Sequence, residues 1–139
     1  MDVGFLVDKT KSLGTANFML LKGFLLEVTA ALHIGRDATH VGMILFDKQP
    51  KVVSTFADKR LYSNDAVHQV ISKIPVILGS PTYTDRALRA ADRQLFTRKG
   101  GDRQKFPNIL IVLTDGRTNE KSIPFSQVIP PLKVSDLHI

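Results

Sequence analysis

At 139 residues with 43% hydrophobic content, the chain is long enough to bury the core of one domain without staples. The absence of cysteine excludes a disulfide framework, a thiolate metal site and a cysteine nucleophile, and no apolar run approaches the roughly 20 residues that cross a bilayer. Nineteen Lys and Arg against thirteen Asp and Glu give a formal charge of +6, which favours acidic partners. With no Trp, two Tyr and no recognisable nucleic-acid-binding motif, that charge reads as a solvated basic surface and not as a nucleic-acid interface.

The first element is a strand over residues 2–8. Val3, Phe5, Leu6 and Val7 make a nearly continuous apolar run, the pattern of a strand covered on both faces of a parallel sheet. The run stops at Asp8, and Thr10 and Ser12 follow at alternate positions. The carboxyl end of such a strand is where open α/β sheets place their ligands. One carboxylate and two hydroxyls in a tight turn also form a hard-oxygen set suited to Mg²⁺. On this segment alone, an equally good account is that Thr10 and Ser12 cap the next helix. The chain enters a strand at once, so no signal peptide is expected; a mature domain cut from a longer protein would look the same.

Residues 13–34 read as a long helix, with Phe18, Leu21, Leu25, Val28 and Leu32 on one stripe and Lys22 and Glu27 off it. Leu20, Phe24 and Leu26 widen that stripe, so the helix is expected to be largely covered, with Gly35 as its stop. Residues 41–46 (VGMILF) form a second buried strand. After the turn at Asp47 to Pro50, residues 51–56 return as an antiparallel hairpin partner at the sheet edge. Residues 64–73 form a short helix carrying Val67, Val70 and Ile71, and Pro75, Gly79 and Pro81 punctuate the loop beyond it. A helix over 84–97 follows, with Thr84 expected as its N-cap and Asp85 in its first turn. Ala87, Leu88, Ala91 and Leu95 make its apolar face, and Arg86, Arg89 and Arg93 share another. Arg98, Lys99, Arg103 and Lys105 carry the positive charge into the next loop. Pro107 opens the most apolar strand, 108–114 (NILIVLT), which ends in Asp115-Gly116. Pro124, Pro130 and Pro131 break up any helix over 122–132, and residues 134–139 begin another strand.

Strand–helix alternation with short loops implies an α/β fold: a doubly wound, mostly parallel central sheet with one antiparallel edge strand and helices on both faces. In that arrangement Asp8, the loop of Thr82 and Thr84, and Asp115 converge on one edge of the sheet. Three such loops are a far more specific constellation than any one of them.

In this order and spacing the chain resembles a von Willebrand factor type A domain, the fold also found as the inserted domain of integrins. FLVDKTKS resembles the family's FLVDxSxS segment, HVGMILFD its VGxxxF strand, GSPTYTDRAL its GxTxTxxAL loop and helix start, and NILIVLTDGRTNE its strand ending in TDG. The likeness covers essentially the whole chain as one domain, 1–139, and lacks the family's last strand and helices, so a C-terminally truncated domain is expected. The resemblance implies a metal-ion-dependent adhesion site, with Asp8, Thr10 and Ser12 matching its first loop, Thr82 its second and Asp115 its third. It implies Mg²⁺ or Mn²⁺ as the cofactor, with an open coordination position for a carboxylate from a partner such as collagen or another matrix protein. It also implies a secreted, extracellular, non-enzymatic module.

The sequence departs from the family at several positions. Thr10 keeps the hydroxyl of the commoner Ser and adds a methyl group. Lys9 and Lys11 stand where small residues are frequent; both alternate with the ligands, so they are expected to point outward and attract acidic groups. Asp85 stands where many relatives have Gly. A haloacid-dehalogenase-type phosphatase also begins with a strand ending in Asp and uses Mg²⁺, but Asp8-Lys9-Thr10 lacks the second Asp of its signature. No G-x-x-x-x-G-K-[ST] occurs, so a phosphate-binding P-loop is unsupported. His33, His40, His68 and His138 share no ligand spacing and read as surface or structural residues. The remaining alternative keeps the fold and loses the metal, leaving a scaffold that binds acidic partners or a sulfated glycan through its basic surface.

Overall fold

The computed structural model describes residues 1–11, 14–76, 78–79, 83–114 and 134–137. The elements, in chain order, are β1 (Asp2–Asp8), α1 (Thr15–Ala31), β2 (His40–Phe46), β3 (Pro50–Ser54), a 3₁₀ turn (Lys59–Leu61), α2 (Asn64–Ser72), α3 (Thr84–Ala90) running on into a π-helical turn (Ala91–Leu95), β4 (Asn108–Leu113) and β5 (Val134–Leu137). The sheet order is β3-β2-β1-β4-β5. β1 pairs in parallel with β2 and β4, β5 is parallel to β4, and only β3 is antiparallel. The most apolar strands, β1 and β4, lie inside the sheet, as a run without alternation requires.

Side-chain alternation along the strands sorts the core into two layers. Val3, Phe5, Val7, Val41, Met43, Leu45 and Leu113 pack against Phe18, Leu21 and Leu25 of α1 and Val67 and Ile71 of α2. Leu6, Ile44, Phe46, Leu110 and Val112 meet Ala87, Leu88, Ala91 and Leu95 on the other face. Gly4 and Gly42 are directly paired across β1 and β2 and face this second layer. A Cβ on Gly42 would lie 3.0 Å from Leu95 Cδ2, and one on Gly4 3.2 Å from Phe96. The glycine pair is a dent in the sheet that seats the π-helical turn.

The helix ends are tied by side chains. Ser63 Oγ accepts from Ala66 N at the start of α2, and Lys22 Nζ donates to the Ile74 carbonyl just past its end at 2.7 Å. Asn64 Nδ2 donates to the Thr29 and Leu32 carbonyls, satisfying orphan acceptors at the end of α1. That cap closes α1 at Ala31, three residues before the expected 34, and Gly35 falls in the turn beyond. Thr84 is the first residue of α3 and not its cap, because Tyr83 occupies the cap position. The expected cover over α1 is not found: Met19, Leu20 and Phe24 are 51%, 58% and 36% exposed. The helix turns Phe18, Leu21, Leu25 and Thr29 to the sheet, and its other apolar side faces outward. Residues 122–132, for which the prolines argue against a helix, lie outside the described residues.

At the amino-terminal end of β1, Asp2 is completely buried. Its Oδ1 accepts from Arg103 Nε and Nη2 at 2.9 and 2.7 Å, and its Oδ2 from the Arg103 amide at 2.9 Å. The same guanidinium donates to the Met1 and Ala38 carbonyls and lies 4.3 Å over the Phe106 ring. Arg103 is thus a structural clamp, not part of a solvated basic loop.

Candidate functional site

The site is built at the opposite end of the same strand. Registration of β1 with β4 sets Val7 beside Leu113, so the residues that follow, Asp8 and Thr114, meet where the two strands end. Asp8 is 0% exposed and Thr10 1%. Asp8 Oδ1 accepts from the Thr10 amide at 2.8 Å and from Thr10 Oγ1 at 2.6 Å, a tight turn closed by the carboxylate itself. Asp8 Oδ2 accepts from Thr114 Oγ1 at 2.8 Å. Thr10 therefore does not cap α1, whose cap position is Gly14 with no side-chain bond; its hydroxyl belongs to Asp8.

Two of the five residues expected at the site, Asp8 and Thr10, are brought together. Ser12, Thr82 and Asp115 lie outside the described residues. The described residues on either side of Thr82, Gly79 and Tyr83, each bond to another segment. Gly79 forms a parallel bridge with Thr10, donating to the Lys9 carbonyl at 3.0 Å and accepting from the Lys11 amide at 2.7 Å. Tyr83 N donates to the Asp47 carbonyl at 3.1 Å. Thr114 is a member that sequence reasoning missed. Its signal was its place before Asp115 at the end of a buried strand, which in a parallel sheet sets it beside Asp8.

Lys9 departs from expectation. Its ammonium is not directed to open solvent but pairs with Asp47 Oδ2 at 3.0 Å, with both side chains less than a fifth exposed. Asp47 Oδ1 accepts from the Gln49 amide at 3.1 Å. Burial opposes ionisation of Asp47, but the Gln49 amide and the Lys9 ammonium together outweigh it and hold the carboxyl below its ordinary value. Lys11 is exposed, as expected, and Asp85 is buried in the first turn of α3.

A carboxylate and hydroxyls are hard oxygen donors, the chemistry preferred by Mg²⁺ and Mn²⁺. Among the described residues no group of three or more His, Cys, Asp or Glu could hold a metal; of the expected set, the described residues contribute the Asp8 carboxylate and the Thr10 hydroxyl. One flank of the molecule is basic. Arg86, Arg89 and Arg93 are exposed along α3 and its continuation; Arg86 donates to the Lys48 carbonyl at 3.0 Å and lies 4.1 Å over the Tyr83 ring. Arg93 and Lys99 line a common cleft of about 310 Å³ with Thr55.

Comparison with known proteins gives one answer. Residues 2–138 match the von Willebrand factor type A domain. The chain is 36% identical over 126 residues to the human collagen alpha-5(VI) chain, covering 88% of this chain and 5% of that one. It is 30% identical over 115 residues to bovine cochlin, covering 83% of this chain and 20% of that one. A structure of proximal thread matrix protein 1 from the mussel byssus, with a zinc-occupied MIDAS motif, has the same fold. Its TM-score is 0.84 at 18% identity, over 97% of this chain and 37% of that one. The chain thus spans a fifth or less of these two curated relatives. It is an extracellular module, as these comparisons indicate, and no described helix is long and apolar enough to cross a membrane.

Proposed function

The chain belongs to the von Willebrand factor type A domain family, and from that premise we propose that it is a non-enzymatic adhesion module. It binds an acidic group of a matrix protein, such as a collagen, through a divalent cation, Mg²⁺ or Mn²⁺, at the edge formed by Asp8, Thr10, Ser12, Thr82 and Asp115. The observation that carries this reading is the Asp8 carboxylate, fully buried at the carboxyl end of the central strand and oriented by Thr10 and Thr114. Asp8 supplies the negative charge, and the hydroxyls of Thr10, Ser12 and Thr82 supply neutral oxygens. A bound Mg²⁺ offers octahedral coordination that protein side chains rarely complete, which leaves a position for the partner's carboxylate. Thr10, pinned to Asp8 through both its amide and its hydroxyl, fixes the first loop before any ligand arrives.

Immobilised collagen, with Mg²⁺ and then with EDTA, tests this directly. Binding in Mg²⁺, lost in EDTA and in Asp8→Ala, is the expected result; equal binding in EDTA overturns it. The exposed Arg86, Arg89 and Arg93 favour a second reading, a metal-free scaffold that takes sulfated glycans or acidic proteins on its basic flank. Binding that survives EDTA but falls steeply with salt would select that second reading.

A further inference from the structure

We infer that Asp47 is a positioning residue of the metal centre: it neutralises the Lys9 ammonium and holds it away from the Asp8 carboxylate. This rests on the reading of Asp8 as a cation ligand. Lys9 lies between Asp8 and Thr10 in sequence, so the metal-binding loop carries its own univalent cation. Left unpaired, that ammonium would repel a divalent ion and would itself be a partner for Asp8.

The surrounding structure is arranged to prevent this. The Lys9 backbone is pinned on both sides, its amide donating to the Phe46 carbonyl at 2.9 Å and its carbonyl accepting from Gly79 N at 3.0 Å. Its side chain reaches Asp47 Oδ2 at 3.0 Å, beyond the end of β2. The Asp8 carboxylate meanwhile takes its bond from Thr114, beyond the end of β4. The two charged groups are thus drawn to opposite neighbours of β1. Asp47 is held for the task, since its other oxygen accepts from Gln49 N and its carbonyl receives Tyr83 N. Gly79 makes the room: a Cβ there would overlap the Asp47 carboxylate. Asp47 therefore links the loop of Asp8 and Thr10 to the segment entering α3.

A mere brace and a charge shield predict different mutants. Removing either partner of a brace weakens the site alike. If Asp47 is a shield, Asp47→Asn releases the ammonium and lowers Mg²⁺ affinity by about tenfold, the range found when partners behind metal ligands are removed. Lys9→Met removes the competing charge and leaves affinity unchanged or tighter, and the double variant Lys9→Met/Asp47→Asn regains wild-type affinity. The test is calorimetric titration of the whole chain with MgCl₂, with thermal unfolding in EDTA as a check of folding. Weakened binding in Lys9→Met, or no rescue in the double variant, overturns the proposal. Should Asp47→Asn not fold, the sign of the Lys9→Met effect still decides. An unmutated chain that gives no Mg²⁺ heat overturns the metal site itself, an outcome distinct from equal affinities across the variants.

Discussion

Strand β1 carries a buried aspartate at each end, Asp2 and Asp8, on the same face and about 20 Å apart at the rise of an extended chain. Both are 0% exposed, yet their surroundings differ in kind. Asp2 is matched by a guanidinium held by two carbonyls and a ring. The described donors to Asp8 include two hydroxyls and an amide, and the ammonium next to it in sequence pairs with Asp47. A fixed internal cation makes Asp2 a rivet. Neutral donors of this kind aim a carboxylate without cancelling its charge, which is what the proposed cation site requires.

The sharpest way to break this comparison is Arg103→Ala. Removing one partner of a buried, multiply bonded pair leaves an uncompensated charge, and the expected loss is about 3–5 kcal/mol in denaturant unfolding. The loss should be the same with Mg²⁺ or EDTA. A loss below about 1 kcal/mol would place Asp2 with ordinary surface pairs and end the contrast.

At the other pole the expected effect is smaller and conditional. Mg²⁺ at 100 times its Kd should stabilise the wild type by about 2.7 kcal/mol through binding to the native state alone. Asp8→Ala should lose that increment, and its stability in EDTA should fall less than that of Arg103→Ala. An increment that persists in Asp8→Ala would move the cation elsewhere.

What made the fold legible was periodicity: unbroken apolar runs for β1, β2 and β4, helical spacing in α1 and α2, and a polar turn before β3. The mostly parallel sheet with one antiparallel edge strand followed from that alternation. Arg103 and the Lys9–Asp47 pair were not legible, and Thr114 only through the pairing of β1 with β4, because each depends on contacts between segments far apart in sequence. Thr114 meets Asp8 across 106 positions, and Arg103 reaches Asp2 across 101. Lys9 illustrates the limit well. Alternation sets it off the side expected to carry the ligands, but only the fold shows that an acidic turn meets it. The exposed apolar side of α1 was misjudged for a related reason, since hydrophobic content gives a helix's appetite for cover and not its supply.

The Lys9–Asp47 pair also marks the site by its acid response. Asp47 titrates below its ordinary value in the folded state, so the pair's contribution is present above the unfolded value near 4 and is lost as pH falls through the folded one. Unfolding midpoints measured from about pH 5 downward should therefore fall more steeply in the wild type than in Asp47→Asn. Equal slopes would mean that the pair contributes nothing to the folded state.

The smallest expected effect on stability belongs to the flank, and it sharpens the comparison by supplying charges that do neither job. Arg86, Arg89 and Arg93 are exposed, so replacing all three with Ala should change unfolding free energy by no more than about 0.5 kcal/mol each. Their consequence, if they have one, lies in binding. Guanidinium groups present paired donors that suit sulfate oxygens, and attraction of this kind weakens steeply with salt. On a heparin column the triple variant should elute at lower salt than the wild type, with Mg²⁺ affinity unchanged. Unchanged elution would leave the flank as a solvated surface, distinct from the charged groups at the two ends of β1.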